Sequence, residues 1–474
     1  MPAPSLSTDL AVVGAGPGGY AAAFLAADLG MEVTLIDPAP APGGVCLHRG
    51  CVPSKTLLHL VRLLHEVRQA RQWGLKFGEP QIDLARLRAF KEEVITRLSS
   101  GLMALEKKRG VATVQARARF QDGSHLLLAE SDGTTHSLSF EKAIIATGSR
   151  PVSLSLLPDS DRILDSTTAL ELRGLPARLL IIGGGYIGLE LGSVYAALGS
   201  RVTVVETTGS LLAGIDADLV RPLEKQLRRD FQAIHLETSV RSARQGEQGL
   251  LVELAGAQAP ADEVCFDAVL TAVGRRPASG DLGLENTGVT CDRDGFVKVD
   301  AGRQTAEPSI FAIGDITGQP MLAHKASHEA RAAVLTMTGR QEPFRPRAIP
   351  AVVFTDPEIA WCGLTEMEAR RLKQEVDVAR FPWAASGRAQ TLDRSEGLTK
   401  LVVDPGSQRI LGVGLTGPGA GELIAQGVLA IEMGATAEDL ALTIHPHPTL
   451  SETLMEAADI VTGRSTHFIR PGQR

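Results

Sequence analysis

Cysteine and aromatic side chains are scarce: the 474 residues include five cysteines, three tryptophans and three tyrosines, and aromatic residues make up 4% of the chain. A secreted scaffold stapled by disulfides needs far denser cysteine, so the core must come from aliphatic packing. An excess of basic charge is also lacking. Lys and Arg number 48 against 55 Asp and Glu, a net charge of −7, and no basic run or basic-aromatic stripe is present to track a phosphate backbone, which excludes nucleic acid as a partner. A long uninterrupted apolar run is missing too. The nearest approach, Leu10 to Gly30, is broken by Gly14, Gly16, Pro17, Gly18 and Gly19, where a membrane-spanning helix would be continuous, and it reads as strand, turn and helix. Met1 to Leu10 carries neither the basic stretch nor the small-residue cleavage site of a secretory leader, so a cytoplasmic protein with no membrane partner is expected.

Glycine is plentiful, with 49 residues, beside an apolar fraction of 44%, a composition that suits a glycine-rich α/β fold. At about 150 residues per domain the length suggests three or four units. An internal repeat organises them. LAVVGAGPGGYAAAF, Leu10 to Phe24, and LLIIGGGYIGLELGSVY, Leu179 to Tyr195, each read as an apolar strand, a GxGxxG turn and a small-residue helix, followed by a strand that ends in an acid, Asp37 or Glu206. Strand, glycines, helix and acid in this order make a complete dinucleotide fingerprint. Gly14 and Gly183 allow the tight turn, Gly16 and Gly185 let the backbone approach a pyrophosphate, Gly19 and Gly188 let helix and strand pack, and the acid accepts ribose hydroxyls. Glu206 would also repel a 2′-phosphate, which selects NAD over NADP. Related segments, KAIIATGSRP at Lys142 to Pro151 and AVLTAVGRRP at Ala268 to Pro277, close the two halves, and SIFAIGD ends in Asp315. IDLARLRAFKEEVITRLSSGLMALEKK, beginning at Ile82, has helical spacing and reads as a plain packing helix. From Ala351 alternating strand patterns and then helices carry no further nucleotide motif, a region suited to oligomer contact.

GGVCLHRGCVPSK, Gly43 to Lys55, places Cys46 and Cys51 in one short glycine-flanked loop at the start of a helix. Zinc would ask for closer Cys spacing and a second ligand pair, whereas Cys265, Cys291 and Cys362 are isolated. A redox pair is the better reading, with Cys51 placed at the helix N-terminus to be the low-pKa thiol. Exchange between thiols and a disulfide needs an acceptor for the substrate proton, and histidine suits neutral pH. His447, between Pro446 and Pro448 and followed by Glu452, is the first choice. His445 competes with it, and spacing does not separate the two.

These motifs resemble the pyridine nucleotide–disulfide oxidoreductases over essentially the whole chain. Within that family TIHPHPTLSE, Thr443 to Glu452, with FAIGD, PMLAHKASHE, FTDPEIAWCGLTE and FPWAASGRA, is similar to the dihydrolipoamide dehydrogenase branch. The resemblance implies an α/β fold of two Rossmann-like dinucleotide-binding domains and a C-terminal α+β dimerisation domain. Its expected divisions are 1–150 for FAD and the redox disulfide, 151–279 for NAD, 280–350 completing the FAD site and 351–474 for the subunit interface. It implies that Cys46 exchanges with a dithiol, Cys51 faces the flavin, and His447, held by Glu452, is the acid–base supplied by the other subunit of a homodimer. Lys55 and Glu190 would pair near the flavin. Asp37, Thr147, Gly148, Gly314 and Asp315 would contact FAD, and Gly274 would lie with Glu206 at the NAD site. The implied activity is oxidation of dihydrolipoamide on a lipoyl-bearing protein of a 2-oxoacid dehydrogenase or glycine-cleavage complex, with reduction of NAD⁺. Glutathione- and mercuric-reductase-like activities are the alternatives; Glu206 argues against the first, and the tail STHFIRPGQR lacks the cysteine pair of the second. A mainly structural or redox-sensing role is disfavoured because disulfide and base are both present. His48 and Arg49 inside the redox loop, Pro446, and Ser327 with His328 depart from the usual family wording.

Overall fold

The two glycine-rich repeats fold alike in the computed structural model, which describes residues 6–257, 259–340 and 342–469. Residues 1–5 and 470–474, on which the expectations about a leader and the tail partly rest, lie outside the described residues. The opening strand, Leu6–Val13, is buried and apolar from Leu10 onward, except for a half-covered start, as suits a strand covered on both faces. It ends at Gly14, whose φ of +105° and close approach to the Ala146 carbonyl, 2.4 Å from any added β-carbon, leave no room for a side chain. Helix α1, Pro17–Asp28, starts at once with Pro17 in its first turn, where a missing N–H goes unnoticed. A β-carbon on Gly19 would stand 1.8 Å from the Gly14 carbonyl, so helix and strand end touch backbone to backbone. Two further helices carry the redox loop, α2, Gly44–Arg49, and α3, Cys51–Gln69.

Helix α4, Leu84–Arg109, packs as expected but along one narrow face, with Leu84 and Leu87 against the cluster that holds Leu57 and Leu58 and Leu102 against the one that holds Phe24. Lys91, Ile95 and Ser99 are its buried residues among 26, while Phe90, Leu98, Met103 and Leu105 are exposed. Its length is set by its ends: the Asp83 side chain accepts the Arg86 N–H, and Gly110 takes the left-handed conformation at the C-terminus.

The first sheet runs Ala112–Val114, Val33–Ile36, Leu6–Val13, Thr135–Ile145, His125–Glu130 and Ala116–Phe120, the last two antiparallel. Ile310–Ala312, far along the chain, adds to it in parallel beside Thr135–Ile145. The second sheet is wholly parallel: Ala233–His235, Arg201–Val205, Arg178–Ile182, Ala268–Thr271 and Ile163–Leu164. Helices α5, Tyr186–Ala197, and α6, Ala217–Asp230, belong to it. The two related closing segments meet directly, Ser149–Pro151 pairing antiparallel with Arg275–Pro277, and so tie the halves together. Helix α7, Ala323–Met337, lays Ala330, Ala333 and Val334 against Ala22, Ala23 and Ala26 of α1, small residues that let the helices come close.

The C-terminal part is a five-stranded antiparallel sheet, Ala351–Val353, Ile359–Gly363, Ile410–Thr416, Leu398–Val403 and Asp377–Pro382 in spatial order. With it go α8, Glu366–Leu372, α9, Gly387–Thr391, α10, Ala420–Met433, α11, Ala437–Leu442, and α12, Glu452–Thr462. Charge joins it to the second sheet. Lys400 is 1% exposed, with Nζ 2.7 Å from Asp216, 3.0 Å from Asp218 and 2.7 Å from Glu366. Asp216, just before α6, also accepts the Glu366 and Met367 N–H groups, so it caps α8 across the junction. Burial opposes ionisation of Asp218 and Glu366, but Arg380 and Lys400 outweigh it and hold both carboxyls below their usual range.

Lys400→Met should destabilise the fold by about 3 kcal/mol in urea titrations at neutral pH, because it removes the one buried cation that Asp216, Asp218 and Glu366 share and leaves Arg380 to balance the last two. Both carboxyls have depressed folded-state pKa values, so the stabilisation is complete above their ordinary values of 3.8 and 4.5 and is lost as the pH falls below them. The gap between wild type and variant should therefore narrow in acid.

Candidate active site

A cavity of about 550 Å³ lies where the first glycine turn, the redox loop and the start of α5 converge. Gly14, Gly16 and Asp37 form part of its wall, with Thr147, Gly148, Gly314 and Asp315, and with Cys46, Cys51, Lys55 and Glu190. Gly16 leaves open space where a side chain would stand, as a cradle for a phosphate requires. Asp37 accepts the Ala15 N–H at 2.7 Å and the Ala39 N–H at 2.8 Å. Glu206 does the same in the second repeat, taking the Gly184 N–H at 2.7 Å and the Thr208 N–H at 2.8 Å. Burial opposes its charge, but these N–H groups prevail and its pKa is lowered. A carboxylate has about four lone-pair positions, so each acid braces its turn and keeps acceptors for ribose hydroxyls. Donors, glycine cradle and acids thus fit a dinucleotide at each repeat. Gly183, Gly185, Gly188, Glu206 and Gly274 are not on the cavity wall; α5, rising from Gly185, sends Tyr186 and Glu190 into it.

Asp315 is oriented by groups the motif reading passed over. Ser149 donates to it at 2.5 Å, and Arg275 holds Ser149 through Nε and Nη2, each at 2.7 Å. The preceding Gly314 N–H goes to Glu329 at 2.6 Å, a carboxylate with no exposed surface that also pairs with Arg303 at 2.9 Å and Lys325 at 3.1 Å. The i,i+4 spacing of Lys325 and Glu329 within PMLAHKASHE was the available signal. Tyr186 is a second omission: it stands on the cavity wall, 41% exposed, and desolvation of its phenol there, with neighbouring acids, raises its pKa although Arg275 opposes this.

The redox loop is pressed onto the first fingerprint. A β-carbon on Gly44 would meet the Gly16 α-carbon at 2.6 Å, and one on Gly43, at φ +130°, would meet Leu47 at 2.4 Å, which together account for the double glycine before Val45. Cys46 and Cys51 are free thiols on the same cavity wall, near enough that each shifts the ionisation of the other. That proximity lowers Cys51 to about 7, helped by Lys55 and resisted by burial and Glu190. The same proximity, with burial, raises Cys46. Cys51 opens α3 as its first residue, where the free N–H groups also favour thiolate. Lys55, one turn on, pairs with the buried Glu190 at 2.8 Å. Of the departing residues, His48 contacts the Pro42 carbonyl at 3.0 Å, Arg49 lies on the cavity wall, and Ser327 donates to the carbonyls of Pro17 and Ala323.

His447 and Glu452 are elsewhere: neither lies on the cavity wall of this chain. His447 is exposed, with Nδ1 2.9 Å from Glu452. Burial resists the Glu452 charge, but the Thr449 N–H and the His447 ring hold its pKa down. His445 uses both ring nitrogens, Nδ1 at 2.8 Å from the Thr443 carbonyl and Nε2 at 2.7 Å from Gln426, whereas His447 Nε2 has no partner among the described residues. Leu442 and Ile444, next to them in the chain, are 67% and 95% exposed, an apolar surface beside the histidines.

Residues 8–330 match the family described as pyridine nucleotide-disulphide oxidoreductase, and residues 349–458 match its dimerisation domain. The chain belongs to the pyridine nucleotide-disulphide oxidoreductase family. It is 45% identical to the dihydrolipoyl dehydrogenase of Vibrio parahaemolyticus over 462 residues, 97% of either chain. It is 43% identical to the enzyme of the same name from Thermus scotoductus, covering 97% of this chain and 99% of that one. Among solved structures, LpdA from Mycobacterium tuberculosis superposes with a TM-score of 0.88 at 28% identity, covering 96% of this chain and 99% of that one. The Cu(II) complex of the HOCl-induced flavoprotein disulfide reductase RclA from Escherichia coli does so with a TM-score of 0.85 at 27% identity, with coverage of 96% and 99%.

Lys55→Met should raise the pH at which Cys51 ionises above about 7, by roughly one unit, because an opposite charge near a thiolate is lost. Iodoacetamide labelling of the reduced protein across pH measures it; an unchanged profile would remove Lys55 from the thiol's electrostatics.

Proposed function

We propose that this protein oxidises dihydrolipoamide to lipoamide and reduces NAD⁺ to NADH, as the shared flavoprotein component of a 2-oxoacid dehydrogenase or glycine-cleavage complex. The observation that carries the reading is the juxtaposition, in one cavity, of the two thiols Cys46 and Cys51, the Lys55–Glu190 pair and the acid-braced glycine cradle. The names of the full-length relatives point to the same substrate.

In the proposed reaction the resting enzyme has a Cys46–Cys51 disulfide. His447 Nε2 takes a proton from one substrate thiol, and the resulting thiolate attacks Cys46, breaking the disulfide and releasing Cys51 as thiolate. The second substrate thiol then displaces Cys46 from the mixed disulfide as its proton passes to the departing Cys46 sulfur, so the substrate gains a disulfide and the enzyme is left with a Cys46 thiol, a Cys51 thiolate and a protonated His447. Lys55 and the N-terminus of α3 hold the negative charge on Cys51. Glu452 fixes the His447 ring with Nε2 outward and stabilises it when protonated. FAD, when bound, supplies the two-electron relay from this dithiol to NAD⁺. Asp37, Asp315, Thr147 and the first glycine turn would hold FAD, and Glu206 with the second turn would hold NAD, its charge excluding a 2′-phosphate.

In this reading the base comes from a second subunit, and the position of His447 away from its own chain's cavity supports it. The dimerisation domain and the apolar surface beside His447 support a homodimer. No helix among the described residues is long and apolar enough to cross a membrane; the isolated Cys265, Cys291 and Cys362 suit a reducing compartment, and a cytoplasmic location is proposed.

The test is dihydrolipoamide-dependent NADH formation by the purified flavoprotein. Cys46→Ser and Cys51→Ser should each abolish it, and His447→Gln should slow it by about 10² to 10⁴ while His445→Gln leaves most activity. Reduction by NADPH with glutathione-type disulfides, and none by dihydrolipoamide, would overturn the assignment.

A further inference from the structure

The Lys55–Glu190 pair has a third member. Phe354 follows the strand Ala351–Val353 of the C-terminal sheet, and its ring centroid lies 4.6 Å from Lys55 Nζ. Its main-chain N–H donates to Glu190 Oε1 at 2.9 Å, while Lys55 takes Oε2 at 2.8 Å. Both carboxylate oxygens are therefore occupied, one from α3 and one from the C-terminal sheet. The Phe354 segment is held firmly on either side. Val353 is buried in the core cluster that also contains Leu57 and Leu58 of α3, and Asp356 is 3.1 Å from His65 of α3 and pairs with Arg394.

We propose that Phe354 is a positioning residue for the thiol pair: its ring and N–H hold Lys55 and Glu190 in place beside Cys51, so that the C-terminal sheet sets thiol reactivity within its own chain. The inference rests on the reading of Cys46 and Cys51 as the redox pair, but not on the identity of the substrate. The reasoning is electrostatic. The groups facing Cys51 are Cys46 from α2, Lys55 from its own helix, and Glu190 and Tyr186 from α5. Lys55 favours the thiolate and Glu190 opposes it. A ring face attracts an ammonium, which keeps the lysine near the sulfur, and the N–H neutralises part of the glutamate charge that would otherwise act on it. Loss of the ring shifts this balance against the thiolate.

The experiment uses the intact flavoprotein, reduced with dithiothreitol and labelled with iodoacetamide across a range of pH. Trypsin cleaves after Arg49 and so separates the Cys46 and Cys51 peptides for mass spectrometry. In Phe354→Leu the half-labelling pH of Cys51 should rise by roughly half a unit, about a threefold loss of labelling below neutrality. Phe354→Tyr, which keeps the ring, should titrate like the wild type. A wild-type profile in a folded Phe354→Leu, or an equal shift in Phe354→Tyr, would overturn the proposal. Should Phe354→Leu not fold, a pentafluorinated phenylalanine at position 354 keeps the shape and weakens the ring's attraction; it must shift Cys51 in the same direction, and an unchanged profile overturns the proposal. Failure of the wild type to oxidise dihydrolipoamide would sink the substrate assignment and leave this labelling result standing.

Discussion

Glu190 is a carboxylate with 3% of its surface exposed, and an ion in that position is tolerated only where partners replace the water it has lost. Its partners come from two distant stretches of chain, the Lys55 ammonium at 2.8 Å and the Phe354 N–H at 2.9 Å. Satisfying one side chain therefore docks α3 on α5 and the C-terminal sheet on both. Helix α3 begins at Cys51, so the same requirement decides where the thiol pair stands relative to the nucleotide cavity. The cavity, the thiol chemistry and the arrangement of the three parts depend on this contact.

Each half meets its ligand with one device used twice. The acid at the end of the second strand accepts the N–H of the residue between the first two glycines, Ala15 for Asp37 and Gly184 for Glu206. The turn is thereby fixed before any ligand arrives, and pre-organisation reduces what must be ordered on binding. The first site adds a second layer. Asp315 is fixed by Ser149 and Arg275, and its turn by the buried Glu329. Charged groups in the interior, Glu329 with Arg303 and Lys325, are here paired with one another and hold backbone in place.

The proton-handling group is separated from the thiols within one chain. His447 and Glu452 form a braced pair on an exposed surface close in the chain to apolar Leu442 and Ile444. In the proposed mechanism activity then requires dimerisation, because thiols and base belong to different subunits.

Much of this was readable from residues in order. The repeated strand–turn–helix with its terminal acid is a local pattern with a steric cause, since Gly14 and Gly183 need positive φ and Gly19 and Gly188 tolerate no β-carbon. Cys46, Cys51 and Lys55 lie within one helical entry, and His447 with Glu452 within one turn, so those groupings too are local. The sequence could not separate His445 from His447; only the fold ties both nitrogens of the former to Thr443 and Gln426. Nor could it reveal that Lys400 is buried among Asp216, Asp218 and Glu366, that Arg275 reaches Ser149, or that α4 stays largely exposed despite its helical spacing. Those contacts join residues distant in the chain, most of them more than a hundred positions apart, or depend on which face meets another layer, and helical or strand periodicity carries no information about either. The chemistry of the site was written in short motifs because steric and bonding demands act over a few residues. Its electrostatic setting came from the tertiary structure, where burial decides which charges must find one another.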